Sequence, residues 1–181
     1  MKINLDKLKR IWNILLDKEE MEEKAPDIMS GANIYMCKAC ELAKVVTNEC
    51  YERKYSVSAA KLQKLLVLMH GEHLAAYDKN LFPENVLCWK CGVAIKEVEL
   101  KFLLHDFSKK ERLPEHIAIL KSEEAVMKKV LEKYGQLDVL EINKDRRLVE
   151  LTTTYPYIEG EKVIIPNEAI EKVFLAYDED I

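Results

Sequence analysis

Apolar residues recur at helical spacing along most of the chain. Over 5–24, Leu5, Leu8, Trp12 and Leu15 keep that spacing with Ile11 and Leu16 beside them, and Pro26 ends the pattern. This predicts an amphipathic helix in an N-terminal extension, residues 1–25, that packs on the main body or serves as a docking helix, with packing favoured because Trp12 is costly to leave in water. A second stripe, Ala32, Tyr35, Met36, Ala39, Leu42, Ala43, Val46 and Cys50, predicts a helix from near Ser30 to Glu52. After a connection at Tyr55 and Ser56, Ser58 is a suitable N-cap for a third helix. That helix carries Leu62, Leu65, Leu66, Met69 and His73 on one side, with Val67 and Leu68 in addition, so it is expected to be largely buried. Asp78, Lys79 and Asn80 form the turn after it.

LFPENVLCWKCG (81–92) breaks the helical period, and Val86 to Trp89 suit a short extended segment. Helical spacing returns at Ile95, Val98 and Phe102, and Phe107 to Glu115 reads as a charged loop. Ser122 opens another helix, with Glu123 and Glu124 in the first turn where the dipole favours anions, and Tyr134-Gly135 closes it. LVELTTT (148–154) reads as helix or strand. Its β-branched run, the Glu159-Gly160 turn and KVII (162–165) favour a hairpin. Pro166-Asn167 starts a last helix with Ile170, Val173, Phe174 and Tyr177 inward. The sum is a mainly α, compact multi-helix domain over 30–181. Its β content is small, around 81–91 and, in the hairpin reading, over 148–165.

Composition narrows the class. The 181 residues are 49% hydrophobic and 33% charged with 5 Gly and 5 Pro, which suits a globular helical chain rather than a disordered one. Apolar runs are too short to span a bilayer, and MKINLDKLKRIWNILLDKEE is not expected to be a signal peptide, so a cytoplasmic protein is expected. The net charge is −4, which argues against a nucleic-acid partner. The basic clusters (Lys7, Lys9, Arg10; Lys109, Lys110, Arg112; Lys144, Arg146, Arg147) sit beside acidic residues and read as solvated surface.

Two CxxC pairs are the first candidate chemistry. Cys37, Cys40, Cys88 and Cys91 supply four thiolates for tetrahedral zinc, a protein class of its own. Against this, Cys37 and Cys40 lie within a helical pattern, and the gap between pairs is long for a zinc ribbon. A redox role lacks βαβ context around either pair, so free thiols acting as small hydrophobes are the plainer expectation. His70 and His73, three apart with Glu72 between them, offer a second metal geometry. However, HExxH is absent, and His73 falls on the apolar stripe. No phosphate loop, nucleophile elbow or carboxylate pair is present, so neither catalysis nor a cofactor is expected.

One stretch carries more. Ala60-Lys61-Leu62-Gln63-Lys64-Leu65-Leu66, the following Val67-Leu68-Met69-His70-Gly71-Glu72-His73-Leu74-Ala75, then Leu81-Phe82 and Trp89-Lys90-Cys91-Gly92 resemble the motif of the Panacea domain. This is the SocA-like antitoxin domain, also known from phage-associated GepA-type proteins. Tyr134-Gly135, Leu148 to Thr152, Pro156-Tyr157 and Ile165 to Ile170 with Phe174 resemble its later parts, so the likeness spans about 30–177. Cys91, Val93, Thr153 and Tyr157 stand where the family usually has Tyr, Pro, His and Trp, as in a divergent member. The resemblance makes 147–154 helical and gives Leu62, Leu65, Leu66, Gly71, His73 and Gly92 structural roles. It implies an antitoxin that neutralises a cognate bacterial or phage toxin by direct contact and, like the SocA-type member, hands it to a cytosolic AAA+ protease. A phage or mobile-element accessory scaffold shares the same fold. Lys61, Lys64, Trp89 and Lys90 are candidates for a partly exposed aromatic–cationic patch. Gln63, an amide on a buried helix, requires specific partners.

Overall fold

The computed structural model describes residues 37–102, 105–110, 112–114 and 117–178. The expected helix over 5–24, the first turns of the one from Ser30 and the cluster Lys7, Lys9, Arg10 lie outside these. The described residues fall within one unit that begins at Cys37, and they are mainly helical with a small antiparallel sheet, as the periodicity predicts.

The first described helix, α1 (Lys38–Glu52), has its start inside the stripe that predicted it. Cys37 is its N-cap, in extended backbone, so the two cysteines of the first pair straddle the helix start instead of lying inside it. The Cys37 sulfur accepts the Cys40 amide (3.1 Å), and Glu84 Oε2 accepts that of Ala39 (3.1 Å), which satisfies donors that an α-helix start leaves open. Inward-facing Ala39, Leu42, Ala43, Val46 and Cys50 are buried.

The second helix, α2 (Ala59–Tyr77), is capped by Ser58 and ends at Asp78 in left-handed backbone. Every residue from Lys61 to Leu74 is buried. Apolar side chains cover its whole circumference, so α2 is the central rod on which the rest assembles. Strands β1 (Val86–Trp89) and β2 (Gly92–Ile95) form a hairpin with Trp89 opposite Gly92. Gly92 has φ +94°, a conformation that favours glycine. Then follow α3 (Lys96–Phe102), α4 (Lys121–Tyr134), α5 (Val139–Ile142), α6 (Arg146–Thr154), β3 (Val163–Ile165) and α7 (Asn167–Asp178). The sheet order is β2-β1-β3, both pairings antiparallel.

The hairpin expected between 148–154 and 162–165 does not form. Residues 146–154 are helical, and β3 pairs with β1 instead. Asp145 caps α6 by accepting the Arg147 amide at 3.0 Å, and the Thr152 and Thr153 hydroxyls donate back to the carbonyls of Leu148 and Val149. The threonine run is therefore hydrogen-bonded within a helix. Its buried residues, Arg147, Leu148 and Leu151, share one helical face.

Helices α2 and α7 meet at Gly71. A Cβ there would stand 2.4 Å from the Phe174 ring, so the glycine is what lets the fully buried Phe174 reach α2. Gly71→Ala is expected to destabilise the fold by about 1–3 kcal/mol through overpacking, measured by chemical denaturation. Phe174→Leu in the same chain should recover part of that loss, giving a non-additive double-mutant cycle.

Candidate partner-binding cleft

The polar residues of α2 turn inward and find partners. Lys61 Nζ donates to the carbonyls of Ser56 and Gly135, each at 2.7 Å, which ties α2 to the connection before it and to the end of α4. Lys64 Nζ donates to the carbonyls of Cys91 and Val93, again at 2.7 Å. The Gln63 amide brackets Ile95: Oε1 accepts its N–H at 2.8 Å, and Nε2 donates to its carbonyl at 3.3 Å and to Glu99 at 3.1 Å. Backbone groups of β2 on the side away from β1 are thus occupied by Gln63 and Lys64, where another sheet would place a neighbouring strand. Burial lowers both lysines below the ordinary ammonium range, Lys64 to about 8, which leaves it charged at neutral pH.

These positions correct the expected aromatic–cationic patch. Lys61 and Lys64 are each 3% exposed and Gln63 is 2% exposed; all three bind inside the molecule. Trp89 is half-buried and Lys90 exposed, both at the turn end of the hairpin. Lys64, Trp89 and Lys90 nevertheless share one feature, a cleft of about 500 Å³. Its other lining comes from the β1–β2 turn, from Asn143, Leu148 and Thr152, and from Pro156 and Tyr157. Lys90 Nζ lies 6.0 Å from the centre of the Tyr157 ring, within reach of a cation–π contact. Lys61 and Gln63 are not part of the lining.

Of the residues given structural roles by the resemblance, Gly92 is half-buried at the hairpin turn and the others lie in the interior. Leu62, Leu65 and Leu66 are fully buried. His73 Nδ1 donates to the Lys79 carbonyl (2.7 Å), so its Nε2 accepts from the Ser122 hydroxyl (3.2 Å), joining α2 to its own exit turn and to α4. His70 is a second buried histidine. Its Nε2 donates to Asn167 Oδ1 (3.1 Å), its ring stacks on Phe82, and Nδ1 has no partner among the described residues. Burial pushes its pKa down to about 4.

The cysteines do not assemble. Cys37 and Cys40 are paired as a disulfide, with Cα atoms 5.1 Å apart, so the expectation of free thiols fails there. Cys50 and Cys88 are free and buried, Cys91 free and exposed. Burial raises the Cys50 thiol to about 11, and that of Cys88 is raised as well. Among the described residues no three His, Cys, Asp or Glu side chains stand together as metal ligands. The four-cysteine site is therefore not formed, and His73 spends both ring nitrogens, and His70 its Nε2, on other partners.

Arg147 is the largest departure from the sequence reading. It is buried, not solvated, and donates to Glu72 (2.6 Å), the Tyr134 hydroxyl (2.7 Å) and Asp145 (3.1 Å), with its guanidinium 4.4 Å from the centre of the Phe174 ring. Lys129 reaches the other Glu72 oxygen at 2.6 Å. Burial alone would raise Asp145; hydrogen bonds from Arg147 and Tyr134 outweigh it and hold the carboxyl below its usual range. Burial and the bond to Asp145 both raise Tyr134. Leu151 is buried four residues after Arg147, and that spacing was the available signal for an inward guanidinium. Arg112, Lys144 and Arg146 are exposed, as are Lys109 and Lys110.

No protein-family model, curated protein or solved structure matches the chain. No helix among the described residues is long and apolar enough to cross a membrane.

The histidine has a measurable consequence. Its folded pKa, about 4, lies below the ordinary 6.5, so the folded state binds fewer protons between those values. The stability held above pH 6.5 is lost as pH falls toward 4. Chemical denaturation should show wild type losing about 2 kcal/mol more than His70→Gln between neutral pH and about pH 4.5. Equal losses would show that His70 does not couple folding to protons.

Proposed function

We propose that this chain is an antitoxin-like protein that binds and neutralises a cognate bacterial or phage toxin by direct contact. The observation that carries the reading is the segment resembling the Panacea motif, residues 60–92. It is built as one piece, with α2 at the centre, the β1–β2 hairpin fastened to it through Gln63 and Lys64, and Trp89 and Lys90 at the hairpin turn beside a cleft. A direct inhibitor needs a rigid scaffold that presents aromatic and cationic side chains at an accessible rim. In this reading the protein acts in the cytoplasm without chemistry of its own, and delivery of the toxin to an AAA+ protease is an extension of the same binding.

The test is co-expression with the product of the neighbouring reading frame. A complex at near-equal amounts together with rescue of growth is the expected result. A toxic neighbour that neither binds nor is neutralised overturns the proposal, and capture of a phage structural component instead points to the accessory-scaffold reading.

A further inference from the structure

We propose that the cleft at the hairpin end takes a carboxylate-bearing segment of a protein partner: an Asp, Glu or chain-terminal carboxylate beside an apolar or aromatic side chain. This deepens the binding reading above by naming the chemistry, and it rests on that reading only in calling the occupant a protein.

The first support is charge. The chain carries 32 Asp and Glu against 28 Lys and Arg, yet the cleft lining holds two lysines, Lys64 and Lys90, and no carboxylate. An acidic protein that keeps one cleft free of acidic groups offers a complementary place for an anion.

The second support is how Lys64 is held. Two of its three N–H groups are fixed by the Cys91 and Val93 carbonyls, so the ammonium is immobile before any ligand arrives, and its third N–H is not used by them. A Cβ on Gly92 would stand 3.1 Å from Nζ. Glycine at this position therefore serves the turn, through its φ of +94°, and also keeps a side chain from crowding the ammonium on the cleft wall. Lys90, carried on the same turn and drawn toward Tyr157, is the second cation.

The third support is the wall. Trp89, Leu148, Pro156 and Tyr157 line the same space, giving apolar surface for a neighbouring side chain and lowering the local dielectric around a bound charge. Two ammonium groups with aromatic walls suit a single carboxylate. The lining contains no arginine, the side chain whose planar fork best matches a phosphate, so a carboxylate is the better fit.

Cys91 supplies the reporter, because it lines the cleft and is the exposed cysteine while Cys50 and Cys88 are buried. The experiment uses the full chain. Iodoacetamide alkylation of Cys91 is followed by mass spectrometry in the presence of acetyl-Phe-Glu-Leu-amide, its Gln counterpart, or inorganic phosphate. The Glu peptide is expected to slow alkylation saturably, with about tenfold weaker protection from the Gln peptide. Lys90→Met should weaken the Glu peptide about three- to fivefold with unchanged thermal unfolding. Equal protection by the Glu and Gln peptides overturns the proposal. So does no protection up to about 10 mM, or phosphate protecting as well as the Glu peptide. Any of these results would leave the co-expression result standing, and failure of co-expression would leave the cleft chemistry measurable by itself.

Discussion

The structure depends on the complete burial of α2. A helix buried on every side gains from its leucines, each worth about 1.5–3 kcal/mol when removed from water. It also strands every polar side chain it carries, because an unpartnered buried polar group costs about 1–3 kcal/mol and a charge more. Lys61, Gln63, Lys64, His70, Glu72 and His73 are all buried on this one helix, and each is matched to a particular partner. The neighbours are therefore placed by hydrogen-bonding need as much as by packing. Lys61 fixes the end of α4, Gln63 and Lys64 fix β2, and His70 reaches α7. Glu72 engages Arg147 on α6, and His73 bonds the exit turn and Ser122 on α4.

The same requirement shapes the cleft. A two-residue hairpin beside a helix is ordinarily the most mobile part of a small sheet, because one edge lacks a strand. Here that edge is bonded to side chains of the central rod, so Trp89 and Lys90 project from a fixed base. On another side of α2, Arg147 joins Glu72, Asp145 and Tyr134 in a buried network beneath Phe174. Removing one member of such a network typically costs about 3–5 kcal/mol because it leaves the other charges unpaired. Packing at Gly71 and ion pairing at Arg147 therefore fasten α7 and α6 to the same rod that holds the hairpin.

Much of this was legible in the sequence. Period and capping gave α2 with Ser58 at its start, the strand at Val86 to Trp89 and the last helix after Pro166, because each is set by local signals. Local signals failed at 148–154. There β-branched residues suggested a strand, while the burial of Arg147, Leu148 and Leu151 on one face produced a helix whose threonine hydroxyls bond internally. They also gave no sign of the helix start at Lys38, because Cys37 caps it in extended backbone from within the apolar stripe. Lysines 61 and 64 looked solvated or partner-facing because a lysine's usual home is the surface. Their actual partners, backbone carbonyls up to 74 residues away, leave no mark on local pattern. Gln63 was the exception: an amide on a helix apolar all round signals a buried hydrogen-bond role before the partner is known.

The most direct test of this dependence on α2 is native-state hydrogen exchange at the Ile95 amide, whose N–H is accepted by the Gln63 side chain. In Gln63→Leu, Ile95 and the hairpin amides around it are expected to lose protection selectively, while the inner turns of α1 and α4 keep theirs. Unchanged protection at Ile95, or a uniform loss across the domain, would contradict the claim that α2's polar side chains individually hold the elements around it.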